Sequence, residues 1–348
     1  MDEDQEVTPL LDSPPAGNGM FLLCVPAGWE TYISREFYEL QQGLVDCGWT
    51  KLVIGEVDDA VVVAAIRRAR IVLLWEAYEL LERNASALCA NSLPADGQAK
   101  RIFFCDDVHY FTPHRREQRL RAFEWADLIL ATYQDKLHQW YPEITRHKTH
   151  WMPHAAASYF HCPAKFSPSS DRILLSGSRT WPYPFRQFCQ AKLSASVCDV
   201  VDHPGYPGYP GDKANNMQAD SIALLHLGRE RYAELLRTYP AMLVCGSVFG
   251  YLVAKVFEGM AAGCLPICER TSLGKWLSAL GFVEGEHYVG TDLQSVIGDT
   301  VDVRDAFLRG DPGWANMTAA AAHKVSSEHT TTVRASQIHH ICMEAIVA

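Results

Sequence analysis

Residues 241–267 read AMLVCGSVFGYLVAKVFEGMAAGCLPI. Ala241 to Cys245 is a short apolar run bounded by Gly246 and Ser247. It reads as a buried strand feeding a helix with Ser247 as its N-cap. The apolar spacing carries that helix to about Ala262, where Gly263 stops it. A second apolar run, Cys264 to Cys268, follows at once. Strand, helix and strand joined this tightly make a βαβ unit of a parallel sheet. On the helix, Tyr251, Lys255 and Glu258 fall at i, i+4 and i+7 and share one face. Two readings of that face stand side by side. One is a surface ion pair of Lys255 and Glu258, worth roughly a few tenths of a kcal/mol. The other is a nucleotide site, in which Lys255 and the helix N-terminus meet phosphate and Glu258 accepts hydrogen bonds from ribose.

Phe257-Glu258-Gly259-Met260-Ala261-Ala262-Gly263-Cys264-Leu265-Pro266-Ile267 resembles the donor-binding segment of glycosyltransferases with the GT-B fold, in the broad group 1 type. The resemblance implies an α/β protein with two Rossmann-like domains facing across a cleft. It also implies a nucleotide-sugar donor, with Glu258 holding the ribose. Many retaining members carry a second Glu eight positions earlier, where this chain has Gly250. That departure favours inversion and brings the chain nearer to branches that keep a Lys three residues before the Glu, as Lys255 is here.

The 348 residues suffice for two domains of roughly 150 residues each. The net charge is −10, and Asp2, Glu3, Asp4, Glu6 and Asp12 supply much of it from the first dozen residues. No basic stripe stands out, so the expectation is no nucleic-acid partner. Residues 1–19 read as a disordered acidic tail, with neither a signal peptide nor an apolar run long enough to span a bilayer. The eleven Cys are scattered without metal spacing and read as buried free thiols, which points to a cytoplasmic protein.

From residue 20 to 154 the pattern alternates strand and helix: Phe21–Val25, Lys51–Val57, Ile71–Trp75, Arg101–Cys105 and Leu128–Thr132 read as strands. Such alternation predicts a doubly wound domain, in which function collects beyond the C-terminal ends of strands. Asp106-Asp107-Val108-His109 follows such an end directly. Two carboxylates and an imidazole there suit a general base taking a proton from an acceptor hydroxyl. The alternative is an Asp capping the next turn and a His packed on an aromatic neighbour. Asp107 is the preferred base, with Asp106 and His109 beside it. In inverting GT-B enzymes an Asp of the first domain serves as base, so the resemblance supports this reading. Gly28, after the first strand, and Glu76, after Trp75, are lesser candidates. His147, His150, His154 and His161 lack zinc spacing, so no metal and no other cofactor is expected.

The boundary falls near residue 155, where Pro153-His154-Ala155 resembles the superfamily's strand-to-linker segment. His154 faces the cleft or packs the linker. Residues 155–330 read as the donor domain. Arg172–Ser176 is its first strand, and Gly177 after it allows close backbone approach. Arg179 and Arg186 are placed to neutralise a leaving diphosphate, and His203 lies in a Pro-Gly-Tyr repeat that covers the donor or is a plain surface loop. Residues 331–348 read as a helix that crosses back to the first domain. The function expected is metal-independent transfer of a sugar, UDP-linked, to a glycan or other hydroxyl acceptor. A non-catalytic nucleotide-sugar-binding protein and a GT-B UDP-sugar epimerase are the alternatives.

Overall fold

A computed structural model describes residues 21–31, 34–88, 99–110, 112–162, 167–201 and 229–347. The acidic tail and His203 with its Pro-Gly-Tyr repeat lie outside them. Strands β1 (Phe21–Pro26), β2 (Thr50–Ile54), β3 (Ile71–Trp75), β4 (Lys100–Cys105), β5 (Leu128–Ala131) and β6 (Thr149–Trp151) form one sheet in the order β2-β1-β3-β4-β5-β6. Strands β7 (Ile173–Ser176), β8 (Cys198–Val201), β9 (Ala241–Val244), β10 (Leu265–Glu269) and β11 (Val289–Thr291) form a second, β11-β10-β9-β7-β8. Every ladder is parallel. The central strands are apolar without alternation, and all five residues of β3 and all four of β7 and of β9 are buried, because helices cover both faces. In each sheet the strand order reverses beside its first strand, between β1 and β3 and between β7 and β9. Ligands of open α/β sheets bind at such switch points.

The first sheet carries α1 (Glu36–Asp46), α2 (Asp59–Arg68), α3 (Tyr78–Arg83), α4 (Pro113–Trp125) and α5 (Gln134–Trp140). Asp58 caps α2 by accepting the Ala60 N–H at 2.7 Å, and Thr112 caps α4 ahead of Pro113. The second sheet carries α6 (Pro184–Lys192), α7 (Glu230–Thr238), α8 (Lys255–Ala261), α9 (Arg270–Ala279), α10 (Val296–Leu308) and α11 (Pro312–Glu328). The last helix, α12 (Thr331–Val347), packs Ala335, Ile338 and Cys342 into the core of the first sheet. Gly43 of α1 permits this approach: a Cβ there would lie 2.6 Å from the Ala335 Cβ. Gly43→Val should therefore destabilise the fold by about 1–3 kcal/mol in denaturant melts. A melt unchanged from wild type would show that the last helix yields freely.

One expectation from the sequence fails. The helix does not start at Ser247; α8 begins at Lys255, and residues 246–254 form a loop. Ser247 and Gly250 both have positive φ, +62° and +66°, a conformation that breaks a helix. The Ser247 hydroxyl accepts the Phe249 N–H at 3.2 Å, so it closes a turn rather than capping a helix. Trp276 fixes the loop by donating to the Gly250 carbonyl at 2.9 Å. The Phe249 and Tyr251 rings of this loop reach across to the first sheet instead.

Candidate functional site

Two banks of chemistry face each other at the strand ends. On the second sheet, β7 ends at Ser176 and the chain turns through Gly177 at φ +106°. Lys255, in the first turn of α8, directs its ammonium to the Ser176 carbonyl at 3.3 Å and hydroxyl at 3.4 Å. Arg186 of α6 is buried and donates to the Ser178 carbonyl at 3.1 Å, its guanidinium lying 4.1 Å from the Tyr183 ring centre. Its Nε is buried without a hydrogen-bond partner among the described residues. Both cations converge on Gly177: a Cβ there would lie 2.6 Å from Lys255 Nζ and 2.9 Å from Arg186 Nη1. Arg179 sits half-buried on the same turn, with Nη1 3.5 Å from the Gly177 carbonyl.

Glu258, one turn further along α8, is buried, and it does not form the ion pair with Lys255 that one reading of the sequence allowed. Burial drives both groups toward their neutral forms. It lowers the Lys255 ammonium, helped by the Arg186 charge and opposed by Glu258. It raises the Glu258 carboxyl against the pull of Lys255. A left-handed turn with two converging cations and a buried carboxylate beside them suits a diphosphate and a ribose. Gly177→Ala should push both cations aside. We expect at least tenfold weaker nucleotide binding by calorimetry and a stability loss on the order of 1 kcal/mol from the positive φ. Wild-type affinity would show that the cations do not act from that turn.

The opposite bank lies at the ends of β3 and β4. Asp107 pairs with His109 through the imidazole Nδ1 and accepts the His109 N–H at 3.1 Å. The His109 carbonyl in turn receives the Arg119 guanidinium. Asp106 points the other way. Its N–H donates to Glu76 Oε1 at 2.7 Å, and its Oδ1 lies 3.8 Å from His154 Nε2. That oxygen is buried without a hydrogen-bond partner among the described residues, while about a quarter of the side chain stays exposed (25%). Burial, with Asp107 and Glu36 adding and His154 opposing, pushes the Asp106 carboxyl up to about 6. Glu76, at φ +51°, is pushed up to about 8 by burial against the opposing Arg119.

His154 is the hub of this bank. Its Nδ1 lies 2.9 Å from Glu36 Oε2 and its Nε2 2.8 Å from the Tyr133 hydroxyl. Burial alone would lower it, but Glu36, with Asp106 and Glu258, outweighs that and pushes it up to about 9. The surrounding carboxylates thus favour its imidazolium form. Glu36, Tyr133 and Arg119 had no signal in the sequence. Glu36 opens an amphipathic helix, and Arg119 is one of four arginines in Arg115–Arg121, with nothing local to set it apart.

The loop 246–254 ties the banks together. Tyr251 does not stand beside Lys255 on a helix face. It stacks on Tyr133 with ring centres 3.8 Å apart and planes at 10°. Phe249 stacks on His109 at 5.9 Å and meets Trp140 edge-on at 5.8 Å. Lys275 pairs with Asp135 across the same seam at 3.1 Å. Ser247 lines a cavity of about 390 Å³ with Phe185, Phe249, Glu269, Thr271 and Lys136 among others. Of the residues singled out from sequence, Gly177, Arg179, Arg186, Lys255 and Glu258 gather on one bank. Asp106, Asp107 and His109 gather on the other, and Ser247 and Tyr251 join neither cation.

No protein-family model matches this sequence, and no curated protein matches it. Solved structures do. A glycosyltransferase from Rickettsia africae ESF-5 superposes with a TM-score of 0.60 at 15% identity, over 94% of this chain and 98% of its own. Anabaena Alr3699/HepE, in complex with UDP and glucose, superposes at 0.60 and 13%, over 93% and 100%. An alpha-glucosyltransferase in complex with UDP-glucose and DNA containing an abasic site superposes at 0.59 and 10%, over 93% and 99%. This last likeness overturns the expectation that nucleic acid can be set aside. The same fold holds DNA in a protein of similar extent, so the lack of a basic stripe does not decide the matter. Among the described residues no helix is long and apolar enough to cross a membrane.

Proposed function

Starting from the GT-B fold, which these glycosyltransferases share with the chain, we propose that the protein is a glycosyltransferase. It moves a sugar from a nucleoside-diphosphate sugar, UDP-linked, to a hydroxyl acceptor, without metal and with inversion. The observation that carries this reading is the convergence of Lys255 and Arg186 on Gly177 at the switch point of the second sheet, with Glu258 beside them. The two cations stabilise the charge that develops on the leaving diphosphate. Glu258 accepts from the ribose hydroxyls. An acceptor hydroxyl gives its proton to a carboxylate of the opposite bank as its oxygen attacks the anomeric carbon. We place that base at Asp106, because His109 already occupies Asp107. Closure of the two sheets over the donor keeps water from competing as acceptor.

Calorimetry against UDP, GDP, ADP and their sugars, with and without EDTA, tests the donor site. One nucleotide should bind selectively, and chelation should change neither binding nor turnover. Product analysis with glycan and oligonucleotide acceptors then tests transfer. Absence of binding by all three nucleotides would remove the reading. A second reading is a donor-binding protein without transfer, favoured by Gly250 at the position of the missing carboxylate. Tight UDP-sugar binding with no product on any acceptor would select it.

A further inference from the structure

Tyr251 belongs to the second sheet by chain and to the first by contact. Its ring lies flat on Tyr133 at 3.8 Å, and Tyr133 hydrogen-bonds His154. Its hydroxyl is buried without a partner among the described residues, as is Asp106 Oδ1. The charges of Asp107 and Asp106 both bear on the phenol. The backbone brings it there through two left-handed residues, Ser247 and Gly250, in a loop that runs directly into Lys255. Thus the segment that ends in the donor cations also lays a ring over the acceptor bank.

We propose that Tyr251 is a positioning residue for the general base, closing over Asp106 from the second sheet so that the carboxylate is basic only when the two sheets are together. This rests on the transferase reading above. The physical argument is desolvation. Glu36, Asp107 and the carboxyl of Glu76 surround Asp106 on its own sheet, with His154 opposing them, Thr132 and Tyr133 beside it, and Arg119 and Arg334 bearing on Glu76 and Glu36. None of these leaves when the cleft opens. Tyr251 and its neighbour Phe249 do, and water then reaches Oδ1. A hydrated aspartate near pKa ~4 is a poorer proton acceptor at neutral pH than one near 6. Closure on a donor therefore completes the base, and an open enzyme with acceptor but no donor leaves the base weak. In the closed state the acceptor O–H bond breaks toward Asp106 as the new C–O bond forms. The anomeric C–O bond breaks with its electron pair going to the diphosphate.

The test uses the full chain with Tyr251→Ala and Tyr251→Phe. The Phe variant keeps the stacked ring and should titrate as wild type. In the Ala variant the acid limb of kcat should move down by at least one pH unit. Turnover at neutral pH should fall about tenfold or more, donor hydrolysis should rise relative to transfer, and UDP affinity should stay within twofold. A ring that served only stability would lower kcat and leave the limb in place. Carbon-13 NMR titration of the Asp106 carboxyl gives the same comparison without turnover. An Asp106 titration identical in wild type and Tyr251→Ala overturns the proposal. A wild-type chain that transfers no sugar overturns the transferase reading instead, and the NMR titration still decides whether Tyr251 governs Asp106.

Discussion

Lys255→Met should fold, melt no lower than wild type, and lose most of its affinity for a nucleoside diphosphate. The ammonium is buried, and its hydrogen bonds go to Ser176 rather than to a carboxylate. A buried cation without an ion-pair partner is held against its desolvation cost, and a thioether of similar length removes that cost. We expect a gain on the order of 1 kcal/mol in the ligand-free protein. The bound state moves the other way. Truncating one partner of a desolvated charge pair loses about 2–5 kcal/mol, or roughly 30- to 5,000-fold in Kd. The pH dependence has a fixed sign. The folded Lys255 titrates below its ordinary value, so its contribution to stability is present above the unfolded pKa and is lost as pH falls through the folded one. The stability gain of Lys255→Met should accordingly shrink between pH 7 and 10. Wild-type affinity for UDP should weaken over the same range, because the free enzyme gives up the proton that the phosphate needs. Calorimetry at pH 7 and 9 measures this. A variant that binds UDP like wild type would take Lys255 out of the donor site.

What the sequence made legible follows from which interactions are local. Parallel strands buried on both faces announce themselves as apolar runs, so Ile71–Trp75 was read to the residue. Asp58 and Pro184 stand at helix starts, where caps and prolines act within one turn and so are visible in sequence. The Phe257–Ile267 resemblance carried Lys255 and Glu258 because both depend on one helix turn and one strand end. The loop 246–254 was misread because the apolar spacing further along was carried back through it to Ser247, while its rings find Tyr133, His109 and Trp140, more than a hundred residues away. No local rule anticipates left-handed Ser247. The pairing of Glu36 with His154 was hidden for the same reason: it spans 118 positions, and only the crossover of the chain brings the two together. α11 and its Ala-rich face gave little apolar signal, since it buries mainly Ala321 and Val325.

Asp106→Asn carries the second large effect. The amide keeps the volume and loses the proton acceptor, so kcat should fall by roughly 10²- to 10⁴-fold while UDP affinity stays unchanged. Asp107→Asn should lose far less, because that carboxylate is engaged by His109 through both ring and backbone. Stability separates the two variants independently of turnover. The folded Asp106 carboxyl sits near 6, above its unfolded value, so its contribution is fully present below about pH 4 and is lost as pH rises through 6. An asparagine cannot ionise and does not suffer that loss. Asp106→Asn should therefore match wild type in melts at pH 4 and exceed it at pH 8 by on the order of 1–2 kcal/mol, allowing for the attraction to His154 that it gives up. Greater stability with dead chemistry is the signature of a carboxylate held unfavourably for function. If Asp106→Asn turned over normally and Asp107→Asn did not, the base would be Asp107, and His109 would be the group that prepares it. Tyr251→Ala would then leave the acid limb of kcat where it stands in wild type.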